Sequence, residues 1–132
     1  MRIALIHAMP VSIPPIEEAF QRLWPAAETV NLTDDSLAGD LAAAGTLQPE
    51  MTDRFQALSR YSVSAGADAI LFTCSAFGPC IEAAAADLDQ VDGRAGGDAG
   101  VPPGDGQHLC VRAVLLQEVL PQLGRVVGVV VL

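Results

Sequence analysis

Residues 69–78 read Ala69-Ile70-Leu71-Phe72-Thr73-Cys74-Ser75-Ala76-Phe77-Gly78. Ala69 to Thr73 is short and apolar, the pattern of a strand buried on both faces. Cys74 stands at its end. Gly78-Pro79 then opens a helix whose apolar stripe is Ile81, Ala84, Ala85 and Leu88. A buried strand that passes through a short turn straight into a helix is the repeating unit of an α/β domain.

Upstream, the same alternation appears twice. Ile3 to Ile6 is a continuous apolar run and predicts a first buried strand. Pro10, Pro14 and Pro15 interrupt the chain, and Ile16, Ala19, Phe20 and Leu23 then fall at helical spacing until Pro25. Thr29 to Leu32 reads as a second strand, and Thr33-Asp34-Asp35-Ser36 as a solvated turn. A short helix over Leu37 to Ala44 stops at Gly45. A longer one begins near Pro49, with Met51, Phe55, Leu58 and Ser62 on its buried face and Gly66 as the residue that ends it. Residues 1–88 therefore predict an α/β lobe in β-α-β-α-β-α order. The expected architecture is an open parallel sheet of about four strands with helices on both faces.

Near residue 89 the character changes. Residues 90–106 include six glycines and almost nothing apolar, so 89–109 reads as a Gly/Asp/Pro-rich linker. Over 110–132 a helix from Val111 to Leu123 and a terminal strand from Arg125 to Leu132 are expected.

Composition narrows the function. The 132 residues carry a formal net charge of −9, which disfavours nucleic-acid backbones as partners. Hydrophobic residues make up 51% and charged residues 17%, so the chain is expected to fold rather than stay disordered. All seven cations are Arg, and the absence of Lys excludes a Schiff-base lysine, a PLP anchor and a P-loop lysine. No Gly-x-Gly-x-x-Gly follows the first strand, so a dinucleotide cofactor has no support. The opening residues are too short an apolar run for a signal peptide, and Val126 to Leu132 is too short to span a bilayer. Three cysteines, Cys74, Cys80 and Cys110, follow no disulfide framework, which suits a reducing cytoplasm.

Ligands of open α/β sheets bind beyond the carboxyl ends of the strands. His7 to Ser12, Thr33 to Ser36 and Thr73 to Gly78 are expected to converge there. Of these, the third loop carries the clearest chemistry. A cysteine just before a helix lies in a field that favours anions and thiolate, lowering the thiol pKa from its usual ~8.5. Thr73 and Ser75 add hydroxyls beside it. Such a site suits proton abstraction from a carbon next to a carboxylate or carbonyl. A cysteine in this place can equally be a small packed hydrophobe, and position alone leaves both readings open. Cys80, one turn into the helix, reads as packing, and Cys110 as structural. His7 reads as a hydrogen-bonded strand-end histidine rather than a base. Cys74, Cys80, His7 and His108 match no zinc spacing. Phosphatase chemistry would need an arginine where Cys80 stands, and a flavodoxin-like signalling domain would need a lysine.

Taken together, Ala67 to Gly78, the opening Arg2-Ile3-Ala4-Leu5-Ile6-His7 and the Asp34-Asp35-Ser36-Leu37 loop resemble the aspartate/glutamate/hydantoin racemase superfamily. The resemblance covers roughly residues 1–88. It implies one lobe of a two-lobed α/β fold, action on a small carboxylate such as an amino acid, and proton transfer by cysteine without metal or organic cofactor. It implies Cys74 as the acid or base, Thr73, Ser75 and Ala76 as carboxylate contacts, and Met9-Pro10-Val11 as pocket lining. Racemisation by two opposed cysteines needs a second lobe with its own motif, which residues 89–132 do not resemble. Two expectations follow. The alternative to catalysis at Cys74 is a truncated, non-catalytic carboxylate-binding lobe or an inactive fragment, and the uncovered apolar surface of a lone lobe would favour homo-oligomers. The composition break further predicts a shifted reading frame near codon 89, which the other two frames of the gene would reveal.

Overall fold

The computed structural model describes residues 1–91 and 128–131. In chain order the elements are β1 (Arg2–His7), α1 (Ile13–Leu23), β2 (Glu28–Thr33), α2 (Leu37–Ala44), α3 (Pro49–Ser64), β3 (Ala69–Phe72), α4 (Gly78–Val91) and β4 (Gly128–Val131). Short 3-10 turns, Pro10–Ser12 and Ser75–Phe77, lead into α1 and α4. The expected linker at 89–109, the helix over Val111 to Leu123, and Cys110 with His108 lie outside the described residues, apart from the last turn of α4.

The sheet is open and runs β2-β1-β3-β4. β1 is central and parallel to both neighbours, with Ile3 opposite Thr29 on one side and Ala69 on the other. One expectation is corrected here. β4 pairs with β3 antiparallel, Ala69 opposite Val131 and Phe72 opposite Gly128, so the sheet is parallel over three strands and not four. An apolar run such as Gly-Val-Val-Val fits a ladder in either direction. Its residues hold no information on direction, which the connection decides.

The period-two alternation of the strands feeds two cores. Ile3 and Leu5 of β1 and Ala69 and Leu71 of β3 face α1, where Ile16, Ala19 and Phe20 meet them. Ala4, Ile6, Ile70 and Phe72 face the opposite way, toward Met51 and Phe55 of α3 and Cys80, Ile81, Ala84 and Leu88 of α4. Helices therefore cover both faces, as expected. Phe55 ties the second core together, with ring centroids 5.7 Å from Phe72 and 5.1 Å from Phe77. Each such aromatic pair adds about 0.5–1.5 kcal/mol beyond its buried area.

Local chemistry sets the element ends. α1 starts at Ile13, as expected for a helix with Pro14-Pro15 in its first turn. Pro14 and Pro15 sit within its first turn, where a missing N–H costs nothing. α2 stops at Gly45 (φ 72°), and Gly66 (φ 82°) follows Ala65 at the end of α3. Both glycines adopt left-handed backbone that a side chain would strain. On α3, Met51, Phe55 and Ser62 are buried and Leu58 is half-buried. The helix also buries Ser59, whose hydroxyl donates to the Phe55 carbonyl at 2.8 Å and so needs no other partner. β2 is an edge strand, and its residues are half-buried or exposed.

Candidate functional site

A cleft of about 390 Å³ opens beyond the carboxyl ends of β1 and β3. That volume suits a small organic molecule. After His7 the chain runs through Ala8 and Met9 into the turn Pro10–Ser12, which forms one side. After Phe72 the Thr73 N–H donates to the Ile6 carbonyl at 3.1 Å, holding the two strand ends together. Cys74 remains extended (φ −125°, ψ 100°), and Ser75–Phe77 turns the chain toward α4. The third side is α2, through Ala38, Leu41 and Ala42.

Of the residues singled out from sequence, Met9, Val11, Thr73, Cys74, Ser75 and Ala76 line this cleft together. Pro10 is not among the lining residues; it begins the 3-10 turn instead. Ser12 belongs to the His7 to Ser12 loop expected at this edge, the Thr33 to Ser36 loop is not in the lining, and the α2 wall was not anticipated. The spacing of Ala38, Leu41 and Ala42 marks an apolar helix face, but nothing in the sequence directs that face to Cys74. Among the described residues, the lining has no charged side chain. An anion there would rely on backbone N–H groups and on the hydroxyls of Ser12, Thr73 and Ser75.

Cys74 is half-buried, and its thiol is pushed up to about 11. Burial is the main cause. Backbone hydrogen bonds from Ala8 and Thr73 oppose it, and the neighbouring Cys80 adds to it. The expected lowering of this pKa is thus reversed. α4 starts only at Gly78, and a helix field fades within its first turn. Near neutral pH Cys74 is a thiol. Cys80 is 1% exposed and accepts a hydrogen bond from the Thr52 hydroxyl at 3.4 Å, in keeping with a packing role.

His7 is fully buried behind the cleft, and its partners determine its tautomer. Glu17 accepts from the Asn31 amide nitrogen, which turns the Asn31 oxygen toward His7. His7 Nε2 lies 2.9 Å from that oxygen and must donate to it. Nδ1 of the neutral ring is then a bare acceptor, 2.8 Å from the Thr73 hydroxyl and 3.0 Å from that of Ser12. Burial lowers the His7 pKa, against opposing effects of Asn31 and the Glu17 charge, so the ring is neutral at pH 7. The reading of His7 as hydrogen-bonded fits these contacts.

The Asp34-Asp35 turn differs from expectation at its first residue. Asp34 accepts from Arg54 Nε at 2.9 Å and Nη2 at 2.6 Å, and from the Ser36 hydroxyl at 2.7 Å. Burial alone would raise this carboxyl, but the bonds from Arg54 and Ser36 outweigh it and hold the pKa below its usual value. Arg54 also reaches Asp40, so one side chain of α3 pins the start of α2. Asp35 is exposed.

No protein-family model, curated protein or solved structure matches this chain. Among the described residues, no three His, Cys, Asp or Glu side chains gather as metal ligands would. Nor is any described helix long and apolar enough to cross a membrane.

Proposed function

We propose that this chain is a racemase-superfamily protein that acts on a small carboxylate, an amino acid or a related acid, by proton transfer at Cys74 without a cofactor. One observation carries the reading. Cys74, Thr73, Ser75, Ala76, Met9 and Val11, which the resemblance selects, share a single cleft at the carboxyl edge of the sheet. The uncharged hydroxyls and strand-end amides would take the carboxylate. Cys74 would face the carbon next to it.

With the pKa raised to about 11, the thiolate of Cys74 is the minor form near neutral pH. That thiolate takes the α-proton, leaving a thiol and an α-carbanion. The thiol, its proton exchanged with solvent, then returns a proton to the same carbon and the thiolate is restored, so exchange should speed up as pH rises. The protein would do this in a reducing cytoplasm, where thiols persist. The raised pKa also favours a second reading, a lobe that binds the carboxylate without turning it over.

Incubation of the full chain with L-aspartate or L-glutamate in D2O separates the two. Deuterium appearing at the α-carbon by NMR, and lost in Cys74→Ser, supports proton transfer. Saturable binding without exchange leaves the binding lobe. Neither binding nor exchange with any small carboxylate refutes both.

A further inference from the structure

We infer that His7 is a positioning residue whose protonation reverses its hydrogen bond with Thr73, so that the Thr73 hydroxyl at the cleft floor changes from an offered acceptor to an available donor. The Glu17 carboxylate only accepts, so the Asn31 amide nitrogen must face it, and the Asn31 oxygen must face His7. Nε2 is therefore a donor in both states of the ring. All change on protonation falls on Nδ1.

In the neutral state Nδ1 accepts. The Thr73 hydroxyl, at 2.8 Å, gives it its proton, and the Ser12 hydroxyl donates to the Met9 carbonyl at 2.7 Å. Both oxygens lie in the cleft lining with their protons directed elsewhere, so they offer lone pairs to a ligand. Lone pairs repel a carboxylate. Once Nδ1 carries a proton, it donates to Thr73, and the Thr73 proton becomes available to an acceptor in the cleft, in competition with the Ile6 carbonyl at 3.4 Å and the Ser12 oxygen at 3.2 Å. The buried imidazolium adds a positive charge behind the two hydroxyls.

The groups facing His7 permit this switch. Glu17 on α1 acts through Asn31 of β2 and favours the cation. Cys74, next to Thr73, is a neutral thiol at this pH. The Asp34 carboxylate is engaged by Arg54 and meets β1 only through its backbone N–H, which donates to the His7 carbonyl. Burial of the ring opposes the cation until an anion arrives. Carboxylate binding and proton uptake at His7 therefore assist each other, as linkage requires. This second half rests on the carboxylate reading above. The hydrogen-bond direction does not.

Two measurements on the full chain test the inference. In the first, ligand-free imidazole 15N spectra are assigned with His7→Gln, since His108 is the other histidine. The expected state is the neutral Nε2–H tautomer, with an Nδ1 resonance that moves in Thr73→Val. A Nδ1–H tautomer, or a resonance indifferent to Thr73→Val, overturns the inference without reference to any ligand. The second is calorimetry with L-aspartate between about pH 5 and 8, in buffers of differing ionisation heat. About one proton should enter per ligand bound above the His7 titration, and affinity should rise about tenfold per unit fall in pH. His7→Gln and Thr73→Val should flatten that slope, whereas a purely structural His7 would lower affinity equally at every pH. Binding without proton uptake overturns the coupling and spares the carboxylate reading. No binding at any pH overturns both the carboxylate reading and the coupling, and the tautomer then shows whether the hydrogen-bond chain was itself wrong.

Discussion

At the carboxyl ends of β1 and β3, two titratable side chains are treated by the fold in opposite ways. His7 is sealed, and all its ring nitrogens have partners. Cys74, one residue past the hydroxyl that His7 holds, reaches the cleft. Burial acts on both and disfavours the charged form of each. For a base that means a lowered pKa, and for an acid a raised one. Both groups rest neutral at pH 7. The difference lies in access: Cys74 can meet a ligand directly, while His7 can act only through Thr73 and Ser12.

The largest expected effect breaks the symmetry of access. Iodoacetamide should alkylate Cys74 in the native protein at a rate that climbs about tenfold per pH unit, about a thousandfold from pH 7 to 10, because only the thiolate reacts. Cys80 should stay protected until unfolding. A Cys74 rate that plateaus below about pH 8 would contradict its raised pKa. Next comes Phe55→Ala, which removes the ring behind the β3 tip, where Phe72 and Phe77 pack. It should cost about 3–5 kcal/mol in urea unfolding. A loss under about 1 kcal/mol would mean that the two strand ends do not depend on this core.

The smallest effect sharpens the His7 side. Because folding lowers the His7 pKa from 6.5, the unfolded chain binds more protons as pH falls past that value. Stability should therefore decline on acidification and level off above it. His7→Leu should remove that part of the pH dependence. It should also cost about 0.5–1.5 kcal/mol, since the His7–Asn31 hydrogen bond is lost while exposed Asn31 can turn to water. An unchanged acid profile would show that His7 titrates normally in the native state.

Much of this arrangement is legible in the chain. The apolar runs at Ile3 to Ile6 and Ala69 to Phe72, the stripes of α1 and α4, and the stops at Gly45 and Gly66 give the element order through residue 88, because periodicity and glycine conformation are local properties. Placing Cys74 at a strand end facing a cleft follows from the same logic. The direction of β4 does not, since a valine run pairs either way. The charge state of Cys74 does not either. It depends on how much of the thiol is buried, which no local pattern records, whereas the start of α4 at Gly78 was legible from Gly78-Pro79. Asp34 read as solvated because its partner, Arg54, is distant in sequence and meets it only through the packing of α3.

Through residue 88, the sequence by itself determined which segments become strands and helices, and that a cysteine flanked by hydroxyl residues closes the third strand. Only the tertiary structure decided that β4 runs backwards, that α2 walls the cleft, and that His7 and Cys74 both rest uncharged. The physical reason is range. Backbone preference and hydrophobic period are set by neighbours in the chain, while desolvation and hydrogen-bond direction are set by atoms that come together only when the sheet forms.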